Sequence, residues 1–323
     1  MQLTCFGEML IDLLPTGDGS LKPIAGGAPA NVAVGFAKLG GSTRFVGGFA
    51  EDPFSLQLKS TLAVYDVGTE YCITISGTQT ALAIVHLDAQ GERSFSFYRD
   101  NTADIAIRPK DFVHLQWPEH GIFHFCSNTL TDAEVASTTV TLLKSAAAHN
   151  QLISFDVNLR LNLWHDLSCL SERVEACYPY IDILKVSREE LKYLAEEKDM
   201  REASYLDWLL SVGVQAVISS DGPNPCSVLT TKDFYSVASP TIDAVDTTGA
   251  GDSLMAGFLF QLSQHGISKD TLVQNFSTLK KALSFAVKCG AFTCEYKGVM
   301  PFMPTLAGVS DRFSSFDPEA LLG

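Results

Sequence analysis

The run Asp246-Thr247-Thr248-Gly249-Ala250-Gly251-Asp252 leads directly into Ser253-Leu254-Met255-Ala256-Gly257-Phe258-Leu259. Leu254, Met255, Phe258, Leu259 and Leu262 recur there at helical spacing, which predicts that Gly249, Ala250 and Gly251 open a buried helix. Free backbone N–H groups at such an end form an anion site. The glycines let a phosphate approach the backbone, and the helix dipole stabilises charge that builds up during transfer. Asp252 stands in the first turn, beside that anion. A carboxylate there is costly without a task, and the task that fits is taking a proton from a hydroxyl that attacks a phosphoryl group. The alternative is that Asp252 only caps the helix.

A second glycine turn, Gly26-Gly27-Ala28-Pro29-Ala30-Asn31, also enters a helical stretch, closed by Gly40 or Gly41. Asn31 offers a donor and an acceptor to a polyol, and Gly26-Gly27 leaves room for a sugar ring against bare backbone. A tight turn with Asn31 as cap is the structural alternative. No Gly-Lys dipeptide and no G-x-G-x-x-G occur, which argues against P-loop and dinucleotide-binding chemistry.

These loops need elements to hold them. Leu3 to Phe6, Gly121 to Phe125, Leu152 to Val157, Ile181 to Val186 and Ala216 to Ser219 read as buried strands, with helical patterns between most of them. That alternation predicts one large α/β domain over 1–323, built on a mostly parallel sheet with ligands at the carboxyl ends of its strands. Thr80 to Leu87 and Arg93 to Tyr98, joined by Asp88-Ala89-Gln90-Gly91, read instead as a hairpin with one greasy face. With residues 12–24 it forms a small β-sheet lid, drawn from about 12–24 and 70–105, that could cover substrate or pair two subunits.

Composition narrows the partners. Apolar residues make up 46% of the chain, and 23 basic against 37 acidic side chains give a net charge of −14. That composition supports a large core, and it argues against nucleic acid and anionic membranes as partners. Met1 to Leu10 carries no basic residue and is interrupted by Glu8, and the apolar stretch at Leu254 to Leu262 is about half of the ~20 residues a membrane span needs. Eight scattered cysteines without a C-x-x-C pair suit reduced thiols, and a cytoplasmic location is expected.

Taken together, the two loops resemble the signatures of the PfkB (ribokinase-like) family of sugar kinases: Gly-Gly…Asn near the start and D-T-x-G-A-G-D near the end. Gly7-Glu8-Met9-Leu10-Ile11-Asp12, Gly91-Glu92-Arg93-Ser94-Phe95, Phe155-Asp156-Val157-Asn158-Leu159-Arg160 and Lys185-Val186-Ser187 are similar to the bacterial fructokinase branch and its aminoimidazole-riboside kinase relatives. The resemblance implies a ribokinase-like three-layer α/β fold, with helices flanking the sheet and a β lid that joins two copies. It implies transfer of the γ-phosphoryl of ATP, with Mg2+, to a hydroxymethyl group of a furanose-like sugar, D-fructose first. Aminoimidazole-riboside, nucleoside or 2-keto-3-deoxygluconate kinases are the alternatives on the same fold, and a non-catalytic sugar sensor is the remote one.

By position, the resemblance gives Asp12, Gly26, Gly27 and Asn31 to the sugar and makes Asp252 the base. Gly249, Ala250 and Gly251 become the anion hole, Arg160 reaches the substrate, and Phe97 and Arg99 come from the lid. Lys185, Ser187, Ser219, Gly222 and Thr248 fall to the nucleotide, Glu190 to magnesium, and the backbone carbonyls of Asp246 and Thr248 to a monovalent cation such as potassium. Three departures stand out: Ser187 replaces the Asn of Asn-x-x-Glu, Ser219 to Cys226 carries two prolines, and Ala286-Val287-Lys288 replaces Ala-Asn-Ala. Ser187-x-x-Glu190 also reads as a capping box.

Overall fold

The apolar runs expected as strands form the middle of a sheet whose two faces are both covered, which is why they read as continuous rather than alternating. The computed structural model describes residues 1–87 and 93–316. Its strands are β1 Gln2–Phe6, β2 Leu10–Pro15, β3 Leu21–Gly26, β4 Thr43–Phe49, β5 Gly68–Thr74, β6 Leu82–Leu87, β7 Arg93–Tyr98, β8 Gly121–Cys126, β9 Leu152–Asp156, β10 Ile183–Ser187, β11 Ala216–Ser220, β12 Cys226–Thr230 and β13 Phe234–Val237. The helices are α1 Ala28–Lys38, α2 Pro53–Val64, α3 Ala133–Ala148, α4 Leu170–Glu175, α5 Arg188–Glu197, α6 Glu202–Ser211, α7 Ala250–Gln264, α8 Phe276–Cys294 and α9 Leu306–Arg312.

The described residues form a nine-stranded sheet in the order β13-β12-β11-β10-β9-β8-β1-β4-β5, parallel from β11 to β5 and antiparallel at β12 and β13. Side chains alternate between two cores. Ile122, Leu152 and Ile183 join α1, α7 and α8 on one face, while Phe123, Ile153 and Leu184 join α3, α5 and α6 on the other. Helix α7 lies between α1 and α8 and is buried nearly all round, so its amino terminus is held without play.

Four strands of the large sheet go beyond the sequence reading: β4, β5 and the antiparallel pair β12 and β13. β4 contains Gly47-Gly48, which weakens its strand signal, and β5 is a half-exposed edge of mixed polarity. The lid is accordingly narrower than 12–24 with 70–105: residues 70–74 belong to β5 of the large sheet. The small sheet runs β3-β2-β6-β7, starting at Leu10. The Asp88 to Gly91 connection, with Glu92, lies outside the described residues. All eight cysteines are unpaired. No helix among the described residues is long and apolar enough to cross a membrane.

Candidate active site

The packing of α1 on α7 brings the two glycine loops together. Gly27, at φ 116°, sits at the start of α1, and its carbonyl accepts the N–H of Asn31 at 2.8 Å. Asn31, one helical turn in, donates from Nδ2 to Oδ2 of Asp252 at 2.8 Å, across 221 positions of sequence. The start of α7 is Gly249, in the left-handed conformation at φ 78° and with no side-chain cap. Asp252 therefore does not cap its helix; it faces a cavity. Burial, then the nearby Asp156 carboxylate, push its pKa up to about 7, while the Asn31 hydrogen bond and the cations Lys185 and Arg160 oppose the rise.

The first turn of α7 presents its amides to the same space. The N–H of Ser253 is already tied to the Gly249 carbonyl at 2.8 Å, and that of Ala250 turns back to Thr247 at 3.2 Å. The amides of Gly251 and Asp252 come before the intrahelical bonding pattern is established, and they are the donors available to an anion.

The cavity is about 490 Å³ and is lined by Phe95, Asp156, Asn158, Arg160, Lys185, Ser187, Glu190, the 244–249 loop, Gly251 and Asp252. It lies at the carboxyl ends of β9 and β10, as an open α/β sheet dictates. Asn158 takes a left-handed φ of 37°, and the chain then delivers Arg160 to the cavity wall. The expected capping box is present: Glu190 N–H donates to Ser187 Oγ at 3.2 Å, and Glu190 Oε2 accepts the Ser187 N–H at 2.7 Å. Glu190 Oε1 also takes the N–H of Leu159 at 2.8 Å, tying the ends of β9 and β10 together. Asp246 accepts the amides of Thr248 and Gly298, each at 3.0 Å, and so joins the glycine loop to the loop after α8.

On the lid, Asp12 and Phe97 flank Ala83 on one face of the small sheet. Gly26 touches that face: a Cβ on it would stand 2.2 Å from Asp12 Oδ2. Phe95 and Phe97 stack at 6.1 Å and are half-buried, so the greasy side of the hairpin turns toward the site. Phe95 is the one that reaches the large cavity, whereas Phe97 lines a smaller one beside it.

Arg99, expected to reach the substrate from the lid, lines the smaller cavity with Phe97 and is held there by its own partners. It is buried, with Nε 2.5 Å from Asp104, Nη1 donating to Thr131 Oγ1 and Nη2 to the Asn128 carbonyl, each at 2.9 Å. Ser219 and Gly222 lie at the end of β11 and in the exposed turn after it, away from the walls of this cavity.

Sequence reasoning gave no role to Phe95, Asp156, Asn158 or Glu8. Glu8 is buried and accepts the N–H of Ala28 at 3.1 Å and Asn128 Nδ2 at 2.9 Å, so it holds the start of α1 from below. The signal for Asp156 was an acid closing an apolar strand, the usual place for a site residue in such a sheet.

The chain matches the family of pfkB carbohydrate kinases over residues 1–306. It is 36% identical over 317 residues to the probable fructokinase-6, chloroplastic, of Arabidopsis thaliana, covering 96% of this chain and 81% of that protein. The solved fructokinase with bound ATP from Xylella fastidiosa aligns with a TM-score of 0.92 at 33% identity, covering 97% of this chain and 98% of that one. The fructokinase from Vibrio cholerae O395 in its fructose, ADP and calcium ion bound form gives 0.87 at 28% identity, covering 96% and 98%. With both glycine loops meeting at one carboxylate and a match that runs along the chain, this protein belongs to the PfkB family of carbohydrate kinases.

Proposed function

We propose that the chain is an ATP-dependent fructokinase that acts on a hydroxymethyl group of D-fructose in its furanose form. The observation that carries this reading is Asp252, held by Asn31 at the amino terminus of α7 and open to a cavity, in a chain similar along its length to fructokinases. Asp12, with Gly26, Gly27 and Asn31, holds the sugar hydroxyls under the lid, and Arg160 faces the substrate from the opposite wall. Asp252 takes the proton of the attacking hydroxyl as its oxygen bonds to the γ-phosphorus and the bond to the β–γ bridging oxygen breaks, releasing ADP. The Gly251 and Asp252 amides stabilise the charge on the transferring group. Ser187 and Thr248 follow the phosphates, and Ser219 and Gly222 the adenosine along the sheet edge.

Among the described residues no cluster of three acidic, His or Cys side chains could hold a metal. Magnesium would be held mainly through the phosphates and water, with Glu190, which lines the cavity, as the nearby carboxylate. When bound, magnesium neutralises phosphate charge. Asp246 and Thr248 are the place for a monovalent cation. Leu21 and Tyr98, exposed on the lid, are the surface through which two copies would pair in the cytosol, and a monomeric mass by light scattering would count against that pairing.

The test is ADP release from MgATP against fructose, ribose, aminoimidazole riboside, inosine, tagatose and 2-keto-3-deoxygluconate. Selective turnover of fructose is expected, and turnover of another acceptor alone would overturn the substrate.

Two further results follow from the geometry. The base works as a carboxylate, so kcat/KM for the sugar should rise with pH to a plateau with its midpoint near the value of about 7 set by the surroundings of Asp252. A profile flat from about pH 5 to about pH 8 would remove Asp252 from proton transfer. In Gly26→Ala, the new methyl meets the Asp12 carboxylate and must displace it, so KM for fructose should rise about tenfold. An unchanged KM would mean that Asp12 does not hold the sugar.

A further inference from the structure

The floor of the cavity carries a buried charge pair that the proton-transfer scheme does not use. Asp156 closes β9 and Lys185 lies directly opposite it on β10. The Lys185 ammonium is 3.0 Å from one Asp156 oxygen and 3.2 Å from the other, and the two residues are only 6% and 2% exposed. Replacing such a pair with apolar residues often leaves a protein as stable or more so, which makes stability a poor reason for it to be here. Its position relative to α7 is more informative. A Cβ on Gly251 would stand 3.1 Å from Lys185 Nζ, so the missing side chain leaves the ammonium open to the first turn of α7. Burial works against the charge, but Asp156 and then Glu190 outweigh it and hold the group above its ordinary pKa.

We infer that Lys185 is a catalytic residue of phosphoryl transfer: its ammonium, held by Asp156, contacts the transferring phosphoryl through the opening at Gly251 and stabilises the charge that grows on it. This rests on the kinase reading above and goes beyond ground-state nucleotide binding. Lys185 moves no proton: the hydroxyl proton goes to Asp252 and ADP leaves with the bridging oxygen. The ammonium supplies a fixed positive charge that needs no rearrangement when the metaphosphate-like state forms. Asp156 is a positioning residue that keeps the ammonium at this spot when no phosphate is bound.

The experiment compares Lys185→Met, Asp156→Asn and the double variant Lys185→Met/Asp156→Asn with the unmodified chain. Lys185→Met should lower kcat by about 100- to 1000-fold, with KM for MgATP within about threefold. Asp156→Asn keeps the ammonium but loosens it, and should lower kcat about tenfold at unchanged KM for MgATP. The single Lys185 variant strands a buried carboxylate and could fail to fold. The double variant strands no charge, and it should melt like the unmodified protein while being as slow as Lys185→Met.

Calorimetry supplies a second readout. MgADP alone should bind the double variant normally, while the gain in affinity on adding aluminium fluoride, a mimic of the transferring phosphoryl, should be lost. A double variant with normal kcat, or one whose only change is a higher KM for MgATP, overturns the inference. Turnover of fructose by the unmodified chain tests the fructokinase reading separately. If fructose is not the acceptor, the comparison of MgADP with and without aluminium fluoride still decides the role of Lys185.

Discussion

Asp252→Asn should lower kcat by about 1000- to 10,000-fold, because it removes the group that accepts the hydroxyl proton while keeping its shape. Asn31 can turn its amide to pair with the new one, so the contact between α1 and α7 survives. Affinity for MgATP should hold or improve, since a negative charge beside the phosphates is gone. Stability supplies an independent check. The folded-state pKa of Asp252 is raised from 3.8 to about 7, so the native state favours the protonated form. The stability that this protonation gives is complete below the unfolded value and is lost as pH rises through about 7. The variant cannot ionise, and its Tm relative to the unmodified chain should climb between those two pH values and level off above them. Substantial turnover by Asp252→Asn would remove the base; a Tm difference independent of pH would remove the raised pKa of its carboxyl.

The parts of the fold that were legible are those where local pattern and tertiary role agree. β1 and β8 to β11 read as apolar runs because helices cover both faces, and α7 announced itself through Leu254, Met255, Phe258, Leu259 and Leu262. β4 and β5 were obscured, one by two glycines and the other by the mixed polarity of an edge. The carboxylate proposed as the base was legible because its loop, its helix start and its charge lie within seven consecutive residues, Asp246 to Asp252. The other half of the site depends on register. Nothing local says that Asp156 faces Lys185, and only the parallel pairing of β9 with β10 puts them opposite each other. Arg99 shows the same limit: an arginine after an alternating strand gives no local sign that Asp104, Glu8 and Asn128 surround it.

Gly27→Ala should cost both stability and sugar turnover, and a matched glycine separates the two causes. Gly27 has φ 116°, and a Cβ there would lie 2.5 Å from the Glu8 carbonyl oxygen and 3.0 Å from Met9 Cα, both backbone atoms that cannot step aside. Strain plus the clash should cost about 3 kcal/mol. For a chain of this length, that lowers Tm by about 4 °C. Relieving the clash shifts the start of α1, and with it the Gly27 carbonyl that anchors Asn31 and the amide of Ala28 that Glu8 holds. Asn31 then loses its aim at Asp252, and kcat/KM for the sugar should fall about 100-fold. Gly40, at φ 97°, has nothing within 4 Å of an added Cβ. Gly40→Ala should therefore show only the backbone strain, about 1–2 kcal/mol, with kinetics intact. If the two variants lose equal stability and both keep normal kcat/KM, the start of α1 does not set the geometry of the base, and Asn31 must hold Asp252 by some means other than the position of its helix.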